Sequence, residues 1–137
     1  MARDALQVRI HPIQLVLRFA LEVAAAWSIM GAARVISGEE GGSIAALIAG
    51  ALIIGVWVTF NVPGDPSRSG KAPVPVSGGV RLGLELAVFV LGALGFALSA
   101  RWPLLAVFVA AVVAHHIGTA ARIRWLLAQG PRKPTSS

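Results

Sequence analysis

Cysteine is absent from the 137 residues, which excludes disulfides, thiolate zinc sites and thiol catalysis but leaves the redox compartment undecided. Charge is scarce. Only 13% of residues are Asp, Glu, Lys or Arg, where a soluble chain carries about 25%. Six acidic residues stand against twelve basic ones, a formal charge of +6. The basic residues form no aromatic-interleaved stripe, so no nucleic-acid partner is expected. No Gly-rich phosphate loop, nucleophile elbow or zinc motif occurs, and the glycine pairs near residues 41 and 78 lack the strand-to-helix context such motifs need.

What the chain has instead is apolar length: 56% of residues are hydrophobic and the mean hydropathy is +0.77. Four apolar segments, at about residues 12–33, 43–62, 79–100 and 103–125, are each long enough to cross a hydrocarbon core of about 30 Å. They do not alternate as barrel strands do. The fold class expected is therefore an all-α membrane protein, a four-transmembrane-helix bundle in a single domain, 12–127. Residues 1–11 form a cytoplasmic N-terminal segment, with Arg3 and Arg9 ahead of a run too long for a signal-peptide core. Residues 34–42 read as a short loop, 63–78 as an extended, mobile Pro/Gly/Ser loop, and 128–137 as a disordered cytoplasmic tail. Lys and Arg crowd the side that holds both termini and the 63–78 loop, leaving only Arg34 and Arg101 opposite. That bias predicts a multi-pass protein of the cytoplasmic membrane with both termini cytoplasmic. Trp27 and Trp102 then fall at the outer end, and Trp57 and Trp125 at the inner end, as interfacial anchors would.

One short motif occurs twice. Arg18-Phe-Ala-Leu-Glu22 in the first segment returns as Arg81-Leu-Gly-Leu-Glu85 in the third, 63 residues later. At the same offset Gly55 falls on Gly118, which reads as two parallel two-helix repeats. Small residues four apart (Ala24/Ser28/Ala32, Ala46/Gly50, Gly95/Ser99) suit close helix contact and identify no oligomer interface.

Arg and Glu are costly in hydrocarbon, so inside a span they find partners and mark candidate sites. Counting helical rise from the inner end puts Arg18 and Glu85 at about 9 Å depth, Glu22 at about 15 Å, His115 and His116 at about 9–11 Å, Trp57 near 8 Å and Thr119 near 5 Å. An inter-helix Arg18–Glu85 pair is thus at least as favourable as the local Arg18–Glu22 and Arg81–Glu85 pairs. His115, Thr119 and Arg122 share a stripe on the fourth segment. The bland account of the two Arg/Glu motifs is mutual counter-ions that set register. The sharper one is a hydrated cavity where Glu22 or Glu85 takes a proton or a cation. For His115 and His116 the bland account is one hydrogen-bonded imidazole and one carboxylate partner, and the sharper one is proton chemistry. Adjacent helical histidines diverge by about 100°. No cofactor is expected, and a haem or metal on His115/His116, which would need a ligand from another helix, is disfavoured without being closed off.

Three stretches carry a resemblance. Arg18-Phe-Ala-Leu-Glu22, then Val56-Trp57-Val-Thr-Phe60-Asn-Val-Pro63, then Arg81-Leu-Gly-Leu-Glu85-Leu-Ala-Val-Phe89 together resemble the YrdB-like family, small bacterial four-span membrane proteins without an assigned role. Here Val58 stands where that family's pattern has Gly, and Gly64-Asp65 where a basic residue usually follows the proline. The likeness covers roughly residues 13–100, so the histidine pair inherits nothing from it. It implies the topology and supplies no activity.

The function expected is binding or transport of a small lipophilic or cationic ligand by a polar layer of Arg18, Glu22, Arg81, Glu85, His115 and His116, with Trp57 and Thr119 beside it. Small multidrug transporters are an architectural analogue at fold level only. One alternative is a membrane enzyme of isomerase, cyclase or epoxide-opening type, with Glu22, Glu85, His115 or His116 as acid or base. The other is a structural subunit whose charges only pack. The expected partners are the lipid bilayer and such a ligand; a homo-oligomer is left open.

Overall fold

A computed structural model describes residues 8–67 and 72–130. The expectations for residues 1–7, and for the tail from 131 on, lie outside the described residues. Helix α1 runs Pro12–Thr59, followed by two short strands, β1 (Phe60–Asn61) and β2 (Val74–Pro75). Helices α2 (Gly78–Leu98), α3 (Trp102–Gly118) and α4 (Ala120–Ala128) complete the order.

α1 starts where His11 accepts the Ile13 amide on Nδ1 at 3.3 Å and Pro12 occupies the first turn, where its missing N–H costs nothing. It is not one rod. Gly38 sits at φ 70, ψ −175, a backbone region essentially reserved for glycine, and the helix reverses there. In a straight helix residues 34 and 42 are about 12 Å apart. Here a methyl added to Gly42 would lie 3.1 Å from the Arg34 carbonyl oxygen, and one on Gly50 would lie 3.0 Å from Met30 Sδ. α1 is therefore a hairpin of two arms, 12–37 and 39–59. The loop expected over 34–42 is corrected to a reversal at one residue, because Glu39 and Glu40 continue the helix on the far side.

The first arm of α1 buries Arg18, Leu21, Ala25, Ser28 and Ala32, a stripe with the 3- and 4-residue steps of a helix seam. α2, capped by Ser77 accepting the Val80 amide at 3.3 Å, buries Arg81, Glu85, Val88, Gly92 and Gly95. The two run parallel in a constant register: Arg18 meets Glu85, Ala25 meets Gly92 and Ser28 meets Gly95, each pair 67 residues apart. Ser28 Oγ donates to the Gly92 carbonyl at 2.7 Å, and a Cβ on Gly95 would meet the Ser28 carbonyl oxygen at 2.7 Å. Glycine is needed at both positions for that approach. Leu21, Ala25, Val88, Phe89, Phe96 and Phe108 form the apolar core.

The fourth segment differs from a single span running to Trp125. It breaks at Thr119, where α3 and α4 meet at 66°. The Thr119 hydroxyl donates to the His115 carbonyl at 2.7 Å, a back-bond that bends helices. The bend lets Arg122 turn inward and lays α4 against the start of α2, where the Gly78 amide donates to the Gln129 carbonyl at 2.9 Å. The 63–78 connection also differs from a free extended loop at its described ends. β1 and β2 pair in parallel, Phe60 with Val74 and Asn61 with Pro75, and Asp65 is buried.

Two helices, α1 and α2, are long and apolar enough to cross a membrane, or three if the bent α3–α4 pair is one span. Beside the apolar core, charged side chains are buried and large apolar ones are exposed. The largest fully buried side chains include Arg81, Arg122, His115 and Glu85, while Ile13, Phe19, Leu47, Leu52, Val107 and Ile117 are exposed.

Candidate functional site

At the end of the molecule where α1's first arm begins, three guanidiniums and three carboxylates gather. α1 supplies Arg18 and Glu22, α2 supplies Arg81 and Glu85, and α4 supplies Arg122. The turn after β1 supplies Asp65. Arg18 Nε donates to Glu22 Oε1 at 2.8 Å, and its Nη2 lies 3.2 Å from Glu85 Oε2. Its Nη1 also donates to the Ser67 hydroxyl. Arg122 bridges the other two acids. It grips Asp65 with a two-pronged contact, Nε to Oδ1 at 3.0 Å and Nη2 to Oδ2 at 2.8 Å, while Nη1 reaches Glu85 at 3.1 and 3.2 Å. Such paired geometry is the strong form of an Arg–carboxylate bond. Glu85 is thus shared by Arg18 and Arg122, and the six formal charges sum to zero.

The two copies of the repeated motif do different work. Arg18 pairs along its own helix to Glu22 and across to Glu85. Arg81, wholly buried, donates Nη1 to the Phe60 carbonyl at 2.8 Å and lies 4.5 Å from the centroid of Trp57. Trp57 also faces Arg18 at 5.8 Å. The anchor role expected for Trp57 is corrected: half-buried between two guanidiniums, it is a cation–π surface inside the cluster. Gly55 and Gly118, equated by the repeat, differ too. A methyl on Gly55 meets nothing, and one on Gly118 would strike the Gln14 side chain.

His115 is buried with Nδ1 3.1 Å from Gln14 Oε1, and His116 Nδ1 lies 2.8 Å from the Val112 carbonyl. The rings touch edge-on at 5.5 Å. The carboxylate partner expected for one histidine is corrected: among the described residues neither forms an ion pair, because Arg18 and Arg122 occupy Glu85. Their Nε2 atoms are buried without a hydrogen-bond partner in the structure. Thr119 acts as the bend described above. Among the described residues no group of three or more His, Asp or Glu is placed to hold a metal ion.

Asp65 was not among the candidates read from the sequence, and Arg122 appeared only as the end of a stripe. No local signal marks Asp65. It lies in a Pro/Gly turn, 57 residues from its partner Arg122. Burial by itself would raise its pKa, but the hydrogen bonds and charge of Arg122, with the Ser67 amide and hydroxyl at 2.9 and 2.7 Å, hold it at about 2 against an ordinary 3.8. A depressed carboxyl contributes stability above its unfolded pKa and loses it as pH falls through the folded one. Protection of the Asp65 and Ser67 amides, taken relative to their intrinsic exchange rates, should therefore be high at pH 5 and be lost between about 3.8 and 2. In Asp65→Asn that acid limb should vanish; an unchanged limb would assign the transition elsewhere.

Glu22 is the outlier among the three acids. Its side chain keeps 22% exposure, against 1% for Glu85 and 5% for Asp65. It lies on an open cleft of about 360 Å³ lined by Leu15, Arg18, Phe19, Trp57 and Ser67.

The family described as "Protein of unknown function (DUF2568)" matches residues 16–128, a span that contains all six charged groups. The chain is 35% identical over 121 residues to the uncharacterized protein YrdB of Bacillus subtilis (strain 168), covering 88% of this chain and 98% of that one. No solved structure matches it.

Proposed function

Because this chain belongs to the DUF2568 family of proteins of unknown function, we propose its role from its own site: an integral membrane protein that binds a small lipophilic cation beside Glu22. The two arms of α1 are about 39 and 31 Å long and α2 about 31 Å. With α3 they supply four crossings of the cytoplasmic membrane. The Lys/Arg bias then puts both termini and the charge cluster towards the cytoplasm.

The observation that supports the ligand is the part-exposed carboxylate of Glu22 on a cleft whose other walls include Leu15, Phe19 and Trp57. A lipophilic cation needs one negative group, aromatic faces and apolar contact, and this cleft offers each. If Glu22 turns to a ligand, Arg18 retains Glu85 and Ser67, so exchange does not strand a buried guanidinium. Protonation of Glu22 would discharge the cation, which is the elementary step of proton-coupled export. Tetraphenylphosphonium titrated into protein reconstituted in neutral lipid should quench tryptophan fluorescence saturably. Glu22→Gln should weaken that binding by about tenfold, the value of one hydrogen bond or contact to a charged group. Equal binding by the variant would end this reading.

A second reading has its own support. Asp65, Arg122 and Glu85 close on one another almost out of reach of any ligand, as a purely structural lock would. In that case tetraphenylphosphonium does not bind and Glu22→Gln is silent. The enzyme alternative needs an enclosed cavity with Glu or His at its base, whereas the Glu22 cleft is open.

A further inference from the structure

The opposite end of the molecule carries a second cleft, unrelated to the charge cluster. It holds about 320 Å³ between Trp27, Met30, Arg34, Phe96, Ser99 and Arg101, with Ser28 at its side. Its chemistry is cationic and hydroxylic at the rim and apolar below. No acidic residue lines it, and among the described residues neither Arg34 nor Arg101 forms an ion pair. Glu39 shares a neighbouring cleft with Arg34 without pairing with it, across the Gly38 reversal.

The two arginines come from separate elements and are brought together by specific backbone devices. Arg34 stands at the top of α1's first arm, in register with the end of α2, and the Gly38 reversal brings the Ser43 hydroxyl to 3.4 Å from its Nη2. α2 ends in a paired cap in which Arg101 N donates to the Phe96 carbonyl at 2.8 Å and Ala100 N to the Ala97 carbonyl at 2.9 Å. That cap requires a left-handed residue, and here it is Ala100, at φ 54, rather than the usual glycine. The turn carries Arg101 back over the cleft, where its guanidinium lies 4.5 Å from the centroid of Trp27. Trp27 in turn rests edge-on against buried Phe96 at 6.0 Å. Arg101 is thus held above an apolar wall instead of swinging free in solvent.

From this geometry we infer that the cleft is a binding site for an anionic phospholipid, with the headgroup phosphate between Arg34 and Arg101 and an acyl chain along Trp27, Met30 and Phe96. Guanidinium forks match phosphate oxygens in pairs, and hydroxyls such as Ser99 supply further donors. The exposed Trp27 and Val35 in the cleft wall favour a lipid over free phosphate, which would leave them wet. The inference rests on the membrane-spanning reading and is independent of the Glu22 site.

Native mass spectrometry of the full chain, released from vesicles of equal phosphatidylglycerol and phosphatidylcholine, tests it. The expected result is retained phosphatidylglycerol, reduced about tenfold in Arg34→Gln/Arg101→Gln and unaltered in the control Arg124→Gln, an exposed arginine at the other end. Both substituted arginines are exposed, so the fold should persist, which circular dichroism and melting of the variant check. Equal retention by the double variant, or equal loss in the control, overturns the inference and leaves the membrane reading intact. Displacement of the lipid by millimolar glycerol 1-phosphate also overturns it, in favour of a free phosphate ester. A chain that stays monomeric in water without lipid or detergent overturns both.

Discussion

Arg122→Met should lower stability by about 3–5 kcal/mol, the range for removing one partner from a buried ion pair. Methionine preserves most of the side-chain volume, so the loss measures charge and hydrogen bonding rather than a void. Arg122 is 1% exposed and supplies both prongs to Asp65 and a third contact to Glu85. Without it Asp65 keeps only Ser67, and Glu85 keeps Arg18. Glu22 and Glu85 then share Arg18, and buried Asp65 loses the guanidinium that paired it, in a place where water does not compensate it. The damage should be relieved when the stranded charges go as well. Arg122→Met combined with Asp65→Asn and Glu85→Gln should recover a large part of the loss, since a neutral, well-packed replacement of a buried ionic group is often close to neutral in cost. Thermal or denaturant unfolding in detergent checks this. A single variant within about 1 kcal/mol of the wild type would show that the cluster behaves as solvated surface charge.

The second large effect is steric. Gly78→Ala should cost about 3 kcal/mol or more, because its Cβ would overlap the Leu126 carbonyl oxygen and backbone, which cannot rotate away as a side chain can. The same change would force α4 off α2 and part the Gly78–Gln129 hydrogen bond, so Arg122 would lose its aim at Asp65. Its neighbour supplies the control. A methyl on Gly79 meets nothing within 4 Å, and Gly79→Ala should be neutral or stabilising by up to about 1 kcal/mol, the helix-propensity difference. Comparing the two melting temperatures separates close packing from glycine content. Equal effects at 78 and 79 would mean that α4 does not rest on α2.

The parts of this architecture that depend on local periodicity were legible in the chain. Helical apolar segments, the Arg18/Glu22 step on one face, and the common depth of Arg18 and Glu85 follow from 3.6 residues per turn and 1.5 Å of rise. Arg18 does reach across to Glu85, at 3.2 Å. The motif repeat pointed to parallel helices but implied equivalent roles at an offset of 63. Packing instead sets the register at 67, one turn further, so that Arg18 faces Glu85 and not Arg81. Like charges would otherwise have met at one level.

What could not be read locally were the contacts closed by bends. Asp65 looked like one polar residue in a turn, and Gly64-Asp65 looked like a departure from the YrdB-like pattern. It supplies the third carboxylate only because α3 breaks at Thr119 and α4 swings Arg122 over it. Likewise Gly38 is one of fifteen glycines in sequence, and its φ of 70 alone reveals that α1 doubles back and brings Ser43 to Arg34. By itself the sequence determined the helical, apolar character of this protein and which charges need partners, because propensity, periodicity and desolvation act within a few residues. Only the tertiary structure decided which partners they took, because that depends on chain reversals far apart in sequence that bring distant turns to one level.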